Sequence, residues 1–507
     1  MGDRPVITLD GSPLGIDEVA AIADRATGVE LASAARTRMA AGRAAVERIA
    51  AGNDAVYGLN TGFGSLSRVR IEPDRLEELQ TNIVRSHAAG VGDPLPPRVV
   101  RAMMAILAAS LARGLSGVRP ELVDRLAAML ARDLVPVIPS RGSVGASGDL
   151  APLAHLALSL LGEGHVHWDG RIEPTGLACS ALGLPALQLQ AKEGLALLNG
   201  THLMAACGAL ALFDADRILD AATVATAMSL DGCRASHGPL AAEIHDARRQ
   251  PGQIAVAARL RDLLDGSTIV EAHRENDPRV QDPYSLRAAP QVLGAACDAI
   301  ASVRRIVEHE LGAVTDNPLV LTNPDGSTSI RSGGNFHGMP LAIHLDLLRI
   351  ALVHVAGISE RRVYWVLSGH DVHNPVTPYL AADPGLQSGL MIAQYTAAAC
   401  TSEMQTLANP ASVANIPTSA GIEDYNSMGA TAGLLALRSV ELLRSVIAIE
   451  LLVMAQALEH QRPLSSGTGV ETAHAALRRV VPPLAGDRPP ARDIARVERL
   501  IADESLF

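Results

Sequence analysis

The segment Ser445-Val-Ile-Ala-Ile-Glu-Leu-Leu-Val-Met-Ala-Gln-Ala-Leu458 has the composition of a helix and is apolar on nearly every face. A helix of that kind must be surrounded by other helices, because no side of it gains from water. Glu450 interrupts the run, Arg444 bounds it, and it falls short of the ~20 residues a bilayer span needs, so it reads as a buried helix. Segments 97–115, 120–133, 150–162, 191–230, 288–314, 338–368, 386–408 and 427–460 are helical by length and Ala/Leu/Met content, with proline confined to first turns, and the later ones are apolar nearly all round. Helical spacing also runs from Leu14 to Ala51 and resumes near Asp74, with a loop over Gly52–Ser67 between them. Strand signal is limited to Val6–Leu9, Val166–Trp168 and Leu319–Thr322, the last before the turn sequence Asn323-Pro-Asp-Gly326. A mainly α chain is expected: residues 1–200 as a smaller mixed domain and 201–507 as a long-helix bundle, buried within one subunit or between subunits. Homo-oligomerisation follows from helices that have no polar face to show.

With 507 residues and 48% hydrophobic composition the chain can bury a large core, as expected of an enzyme rather than a small binding module. The net charge of −11 is spread without a basic block, which argues against nucleic acid or an anionic membrane as partner. Cys179, Cys207, Cys233, Cys297 and Cys400 form no Cys-x-x-Cys pair and read as reduced core thiols. The N-terminal MGDRPVITLDGSPLG has acidic residues and glycines where a secretory signal would place positive charge and an apolar run, so a cytoplasmic location is expected. No metal is expected, because His155, His165 and His167 lack a carboxylate or cysteine at ligand spacing.

Against this helical background the stretch Gly142-Ser-Val-Gly-Ala-Ser-Gly-Asp-Leu150 has unusual backbone freedom. It has no lysine for a phosphate loop, places Asp149 where a nucleophile elbow needs its second glycine, and lacks the spacing of a dinucleotide fingerprint. Two readings remain. In one, the glycines make a tight turn before a helix capped by Asp149 with Pro152 in its first turn. In the other, the turn presses the Gly148 nitrogen onto the Ala146 carbonyl carbon, where glycine hinders ring closure least. Loss of two waters, one carrying the Ser147 hydroxyl, would then leave a 4-methylidene-imidazol-5-one (MIO), an electrophile no ordinary side chain supplies.

Nearly the whole chain resembles the MIO-dependent aromatic amino-acid ammonia-lyases and aminomutases, and within them most closely the bacterial histidine ammonia-lyases. The resemblance rests on Tyr57-Gly-Leu-Asn-Thr-Gly-Phe-Gly64, Ser86-His-Ala-Ala-Gly90, the run Gly142 to His155, and Lys192-Glu-Gly-Leu-Ala-Leu-Leu-Asn-Gly-Thr201. It continues in Val280-Gln-Asp-Pro-Tyr-Ser-Leu-Arg287, Thr315-Asp-Asn-Pro-Leu319, Gly334-Asn-Phe-His337 and Pro417-Thr-Ser-Ala420. It implies a mainly α fold of the fumarase/aspartase-like superfamily, a homotetramer whose active sites draw on more than one subunit, and MIO formed from Ala146, Ser147 and Gly148 with no external cofactor. It further implies Tyr57 as base, with Asn199, Gln281 and Tyr284 around cofactor and substrate. Arg287 would clamp the substrate carboxylate, Phe336 would wall the aromatic pocket beside Asn335, and His87 and Glu423 would face the substrate ring. For Tyr57 to act as base near neutrality its pKa must fall by roughly three units, about 4 kcal/mol.

The implied reaction is loss of ammonia from an aromatic L-amino acid, with L-histidine giving trans-urocanate ahead of L-tyrosine by deamination or 2,3-migration. Glu423 decides the order, since a carboxylate can hydrogen-bond an imidazole but would stand unpartnered against a phenyl ring. Ile422-Glu423-Asp424-Tyr425 departs from the Gln-Glu-Asp-His of histidine-acting members, and Met404-Gln405 from their Asn-Lys. Tyr395 stands where they have a small aliphatic residue and is similar to tyrosine-acting aminomutases. A serine hydrolase built on Ser147 and an inactive helical bundle are the rival classes; intact Ala146-Ser147-Gly148 and Tyr57 count against the latter.

Overall fold

A computed structural model describes residues 5–52, 56, 58–62, 70–275, 277–323, 325 and 327–506. The chain is mostly helical and divides into two compact units. The first comprises Met1–Leu210, Arg304–Asp346 and Pro410–Leu434; the second comprises Ala211–Val303, Leu347–Asn409 and Leu435–Phe507.

The first unit is mixed. Its central helix, Pro97–Ala112, starts on a proline whose missing N–H costs nothing at that position, and it is buried continuously from Val99 to Ala112. Short sheets surround it. Val6–Leu9 pairs in parallel with Gly28–Leu31, and that second strand interrupts the helical stretch expected over Leu14–Ala51, leaving helices Ile16–Ala23 and Ser33–Ala50. Val91–Pro94 runs antiparallel to Pro139–Arg141, and His165–Trp168 lies between Val135–Pro136 and Arg171–Pro174. Leu319–Thr322 and Thr328–Arg331 form a hairpin, as the turn sequence between them predicts. The glycine loop fills the gap between strand Pro139–Arg141 and helix Ala151–Leu160.

The helix expected over 191–230 is two helices, Glu193–Leu198 and His202–Gly232. Asn199 is extended and Gly200 has φ +119°, which no helix accommodates, so the chain breaks there. The second unit contains the apolar segments seen in the sequence. Val446, Ile447, Ala448, Ile449, Leu451 and Val453 are fully buried in helix Gly429–Glu459, and so is Glu450. Parts of His202–Gly232 and Met339–Ser368 belong to the same unit, as do the amphipathic helices Thr468–Val480 and Pro490–Ala502. Met339–Ser368 is long and apolar enough to cross a membrane by length and composition, yet 56% of its most apolar window is buried, as in a core helix.

Candidate active site

The glycine loop is held by backbone contacts from distant parts of the first unit. Gly148 has φ +77° and bridges to Gly200; a Cβ on it would lie 2.1 Å from the Gly200 carbonyl oxygen. The Gly200 N–H donates to the Ser147 carbonyl at 3.3 Å, and the Asp149 N–H donates to the Gly200 carbonyl at 2.8 Å. On the other side Met428 N–H donates to the Val144 carbonyl at 2.9 Å and the Ser427 hydroxyl to the Gly145 carbonyl at 3.0 Å. Gly145, at φ +70°, leaves no room for a Cβ, which would fall 2.0 Å from Ser427 Oγ. Both glycines are therefore required by close approach as well as by φ. Ala146 and Gly148 are buried while Ser147 is partly open, so the Ser147 side chain is the one the loop presents.

Asp149 does not cap the helix that follows it. Leu150, at φ +26°, occupies that cap position without a side-chain bond. The Asp149 carboxylate, fully buried, instead accepts the Leu203 N–H at 2.7 Å and the Met204 N–H at 3.3 Å, at the start of His202–Gly232. Burial raises its pKa to about 7 against the pull of those two N–H donors and of Ser143, and the nearby Glu310 adds to the rise. His202, also buried, is pushed down to about 3 by desolvation, with Arg113 adding to the fall, and neither ring nitrogen has a hydrogen-bond partner among the described residues.

Around Ser147 the fold gathers two more residues singled out in the sequence. The Ser147 hydroxyl donates to Glu423 Oε1 at 3.2 Å, and the Thr418 hydroxyl holds Glu423 Oε2 at 2.8 Å. His87 ends helix Leu76–His87; burial lowers its pKa, while the Ile83 carbonyl and the Glu423 charge pull it back up. Asn199 donates from Nδ2 to the Asn317 carbonyl at 2.8 Å, immediately before Gly200. Asn335 is exposed and Phe336 half-buried in the turn before His337, whose ring bonds the Tyr425 carbonyl at 2.9 Å. Tyr57 lies outside the described residues.

The remaining candidates belong to the second unit. Tyr284 and Arg287 share the short helix Tyr284–Arg287, with Leu286 fully buried between them and the guanidinium carbon 4.4 Å from the centre of the Tyr284 ring. Gln281 and Arg287 line a cavity of about 700 Å³ together with His237, His273 and Asp277. Arg287 Nε is buried there with no hydrogen-bond partner among the described residues. Tyr284 is 73% exposed, and Tyr395, on helix Met391–Leu407, is 61% exposed.

A sequence profile of the family described as aromatic amino acid lyase matches residues 14–479. The chain belongs to the aromatic amino acid lyase family. This lyase is 48% identical over 504 residues to a histidine ammonia-lyase of Stigmatella aurantiaca, covering 99% of this chain and 98% of that one. The structure of histidine ammonia-lyase from Trypanosoma cruzi superposes with TM-score 0.91 at 39% identity, over 99% of this chain and 94% of that one. A tyrosine aminomutase from Streptomyces globisporus superposes with TM-score 0.92 at 35% identity, over 99% and 97% of the two chains.

Several groups that shape the lyase's loop are ones sequence reasoning passed over. Ser427 acts through its hydroxyl and Gly200 through its backbone, and Asp149 caps a helix that begins 53 residues later in the chain, from 149 to 202. The signal available was Asn199-Gly200-Thr201, a glycine between two capping residues inside an otherwise helical run. Lys192, fully buried and paired with Asp316 at 2.6 Å, was visible only as a charge at the edge of an apolar segment.

Proposed function

We propose that this lyase eliminates ammonia from L-histidine to give trans-urocanate, with Ala146-Ser147-Gly148 closed into MIO. The fit of the group rests on the loop itself: glycine is obligatory at 148, Ala146 is buried, and Ser147, which would become the methylidene, is the member left open. When formed, MIO supplies an electrophile that activates the amine as a leaving group.

The observation that carries the substrate assignment is the Glu423 carboxylate, fixed 3.2 Å from Ser147 Oγ and acting on His87. A carboxylate so placed accepts a hydrogen bond from an imidazole N–H and stabilises imidazolium, while a phenyl ring would leave it a desolvated charge without a partner. His87 faces the same ring. Tyr57 takes the β-proton, and Arg287 grips the substrate carboxylate through its planar fork. Asn199, Gln281 and Tyr284 orient the amino acid, and Asn335, Phe336 and Tyr395 border its ring. The exposed Tyr284, Tyr395, Ile422 and Tyr425 support a homotetramer in which neighbouring copies cover these surfaces. The proposed location is the cytoplasm, resting on the N-terminal reading of the sequence.

The test is turnover of L-histidine, L-tyrosine and L-phenylalanine side by side, read as urocanate, coumarate and cinnamate absorbance. Histidine should be the preferred substrate. Glu423→Gln should lower kcat/KM for histidine by about tenfold or more, as for loss of a charge-assisted hydrogen bond, and should affect residual tyrosine turnover less. A reversed ranking, or a β-tyrosine product without free ammonia, defeats the assignment.

A further inference from the structure

Inside the second unit three side chains with no exposure meet around the equally buried carboxylate of Glu450. Glu450 Oε1 accepts from Arg362 Nε at 2.5 Å and from the Ser229 hydroxyl at 2.7 Å. Its Oε2 accepts from Arg362 Nη2 at 3.0 Å and from the Ser359 hydroxyl at 2.5 Å. The pairing is bidentate, so the plane of the guanidinium is set by Glu450 and the remaining nitrogen, Nη1, has a fixed direction. Nη1 donates to the backbone carbonyl of Ser285 at 3.3 Å. Ser285 lies in the short helix that carries Tyr284 and Arg287.

A fully buried ion pair is a weak source of stability, because desolvation of both charges offsets most of their attraction and a well-packed apolar pair would serve as well. What an apolar pair could not do is hold a carbonyl in the short turn. That turn is otherwise fixed by Leu286 in the core and by N–H donation from Leu286 and Arg287 to Pro283. Rotation about this anchor would swing Arg287 and Tyr284 together. We propose that Arg362, oriented by Glu450, is a positioning residue that sets the Tyr284–Arg287 turn and through it the grip on the substrate carboxylate. The inference rests on the carboxylate-clamp role of Arg287 given above.

The test compares two competitive inhibitors that share the imidazole and differ in the carboxylate: imidazolepropionate, which has it, and histamine, which does not. In Arg362→Lys the ammonium cannot span both Glu450 oxygens and Ser285. Binding of imidazolepropionate should weaken about tenfold, while histamine binding and the near-ultraviolet absorbance of the cofactor stay as in the parent. A merely structural role would weaken both inhibitors alike, and that result, or no change in either, overturns the proposal. If Arg362→Lys does not fold, the double variant Arg362→Gln, Glu450→Gln keeps a neutral hydrogen-bonded pair and should show the same selective loss. Failure of both variants to fold assigns the pair to folding and also overturns it. Arg287→Lys is the control. Selective loss in Arg287→Lys without selective loss in the Arg362 variants overturns this inference alone, whereas equal binding in Arg287→Lys overturns the clamp and this inference with it.

Discussion

Replacing Gly200 by alanine should disable the enzyme although the residue lies outside the tripeptide proposed to form the cofactor. Gly200 sits at φ +119°, where an L side chain is strained, and the new Cβ would fall 2.4 Å from His202 Cε1 and 2.6 Å from Thr315 Oγ1. His202 and Thr315 are both buried, so neither can swing into solvent. Backbone strain of about 1–3 kcal/mol and overpacking of about 1–3 kcal/mol together give a destabilisation of roughly 2–6 kcal/mol. Relief would come by moving Gly200 away from Ser147 and Asp149, the contacts that hold the loop compressed. Two measurements follow: a lower thermal unfolding midpoint, and an intact mass showing a fraction of chains that retain the two waters lost on cyclisation. Full cyclisation with an unchanged midpoint would refute the claim that Gly200 is the anvil for the loop.

Ser147→Ala should abolish turnover with little change in unfolding midpoint, because alanine has no hydroxyl to lose and the side chain's one described bond is to Glu423; unchanged turnover would overturn the cofactor assignment. For His202 the folded pKa of about 3 lies below the ordinary 6.5, so the unfolded chain binds a proton that the folded chain refuses between those values. Stability from this residue is full above pH 6.5 and lost as pH falls toward 3. In His202→Gln the drop in stability between pH 8 and pH 5 should therefore be smaller than in the parent by about 2 kcal/mol, measured by urea unfolding at both pH values. Equal drops would mean that the ring is protonated in the fold.

The sequence by itself determined the class of the fold and singled out the loop on which the proposed chemistry rests. Ser445–Leu458 is apolar on nearly every side and reads as a buried helix, and the observed helices Pro97–Ala112, Pro120–Ala131, Ala289–Leu311 and Met339–Ser368 lie within two or three residues of the ends that periodicity predicts. Those signals are local, carried by spacing along one stretch of chain. The tripeptide was legible for the same reason, since Ala146-Ser147-Gly148 is contiguous and its glycine has an intrinsic conformational meaning. Tertiary structure alone decided which groups press on it. Asp149 reads as the cap of its own helix and instead caps His202–Gly232; Gly200 reads as a helix residue and instead breaks the helix to meet Gly148. Ser427 reaches Gly145 across 282 residues, and Glu423 reaches Ser147 across 276. No pattern within a helical turn or a strand encodes such meetings. They exist because packing the apolar faces brings distant polar groups together, and each buried group must then find a partner where the fold has left it.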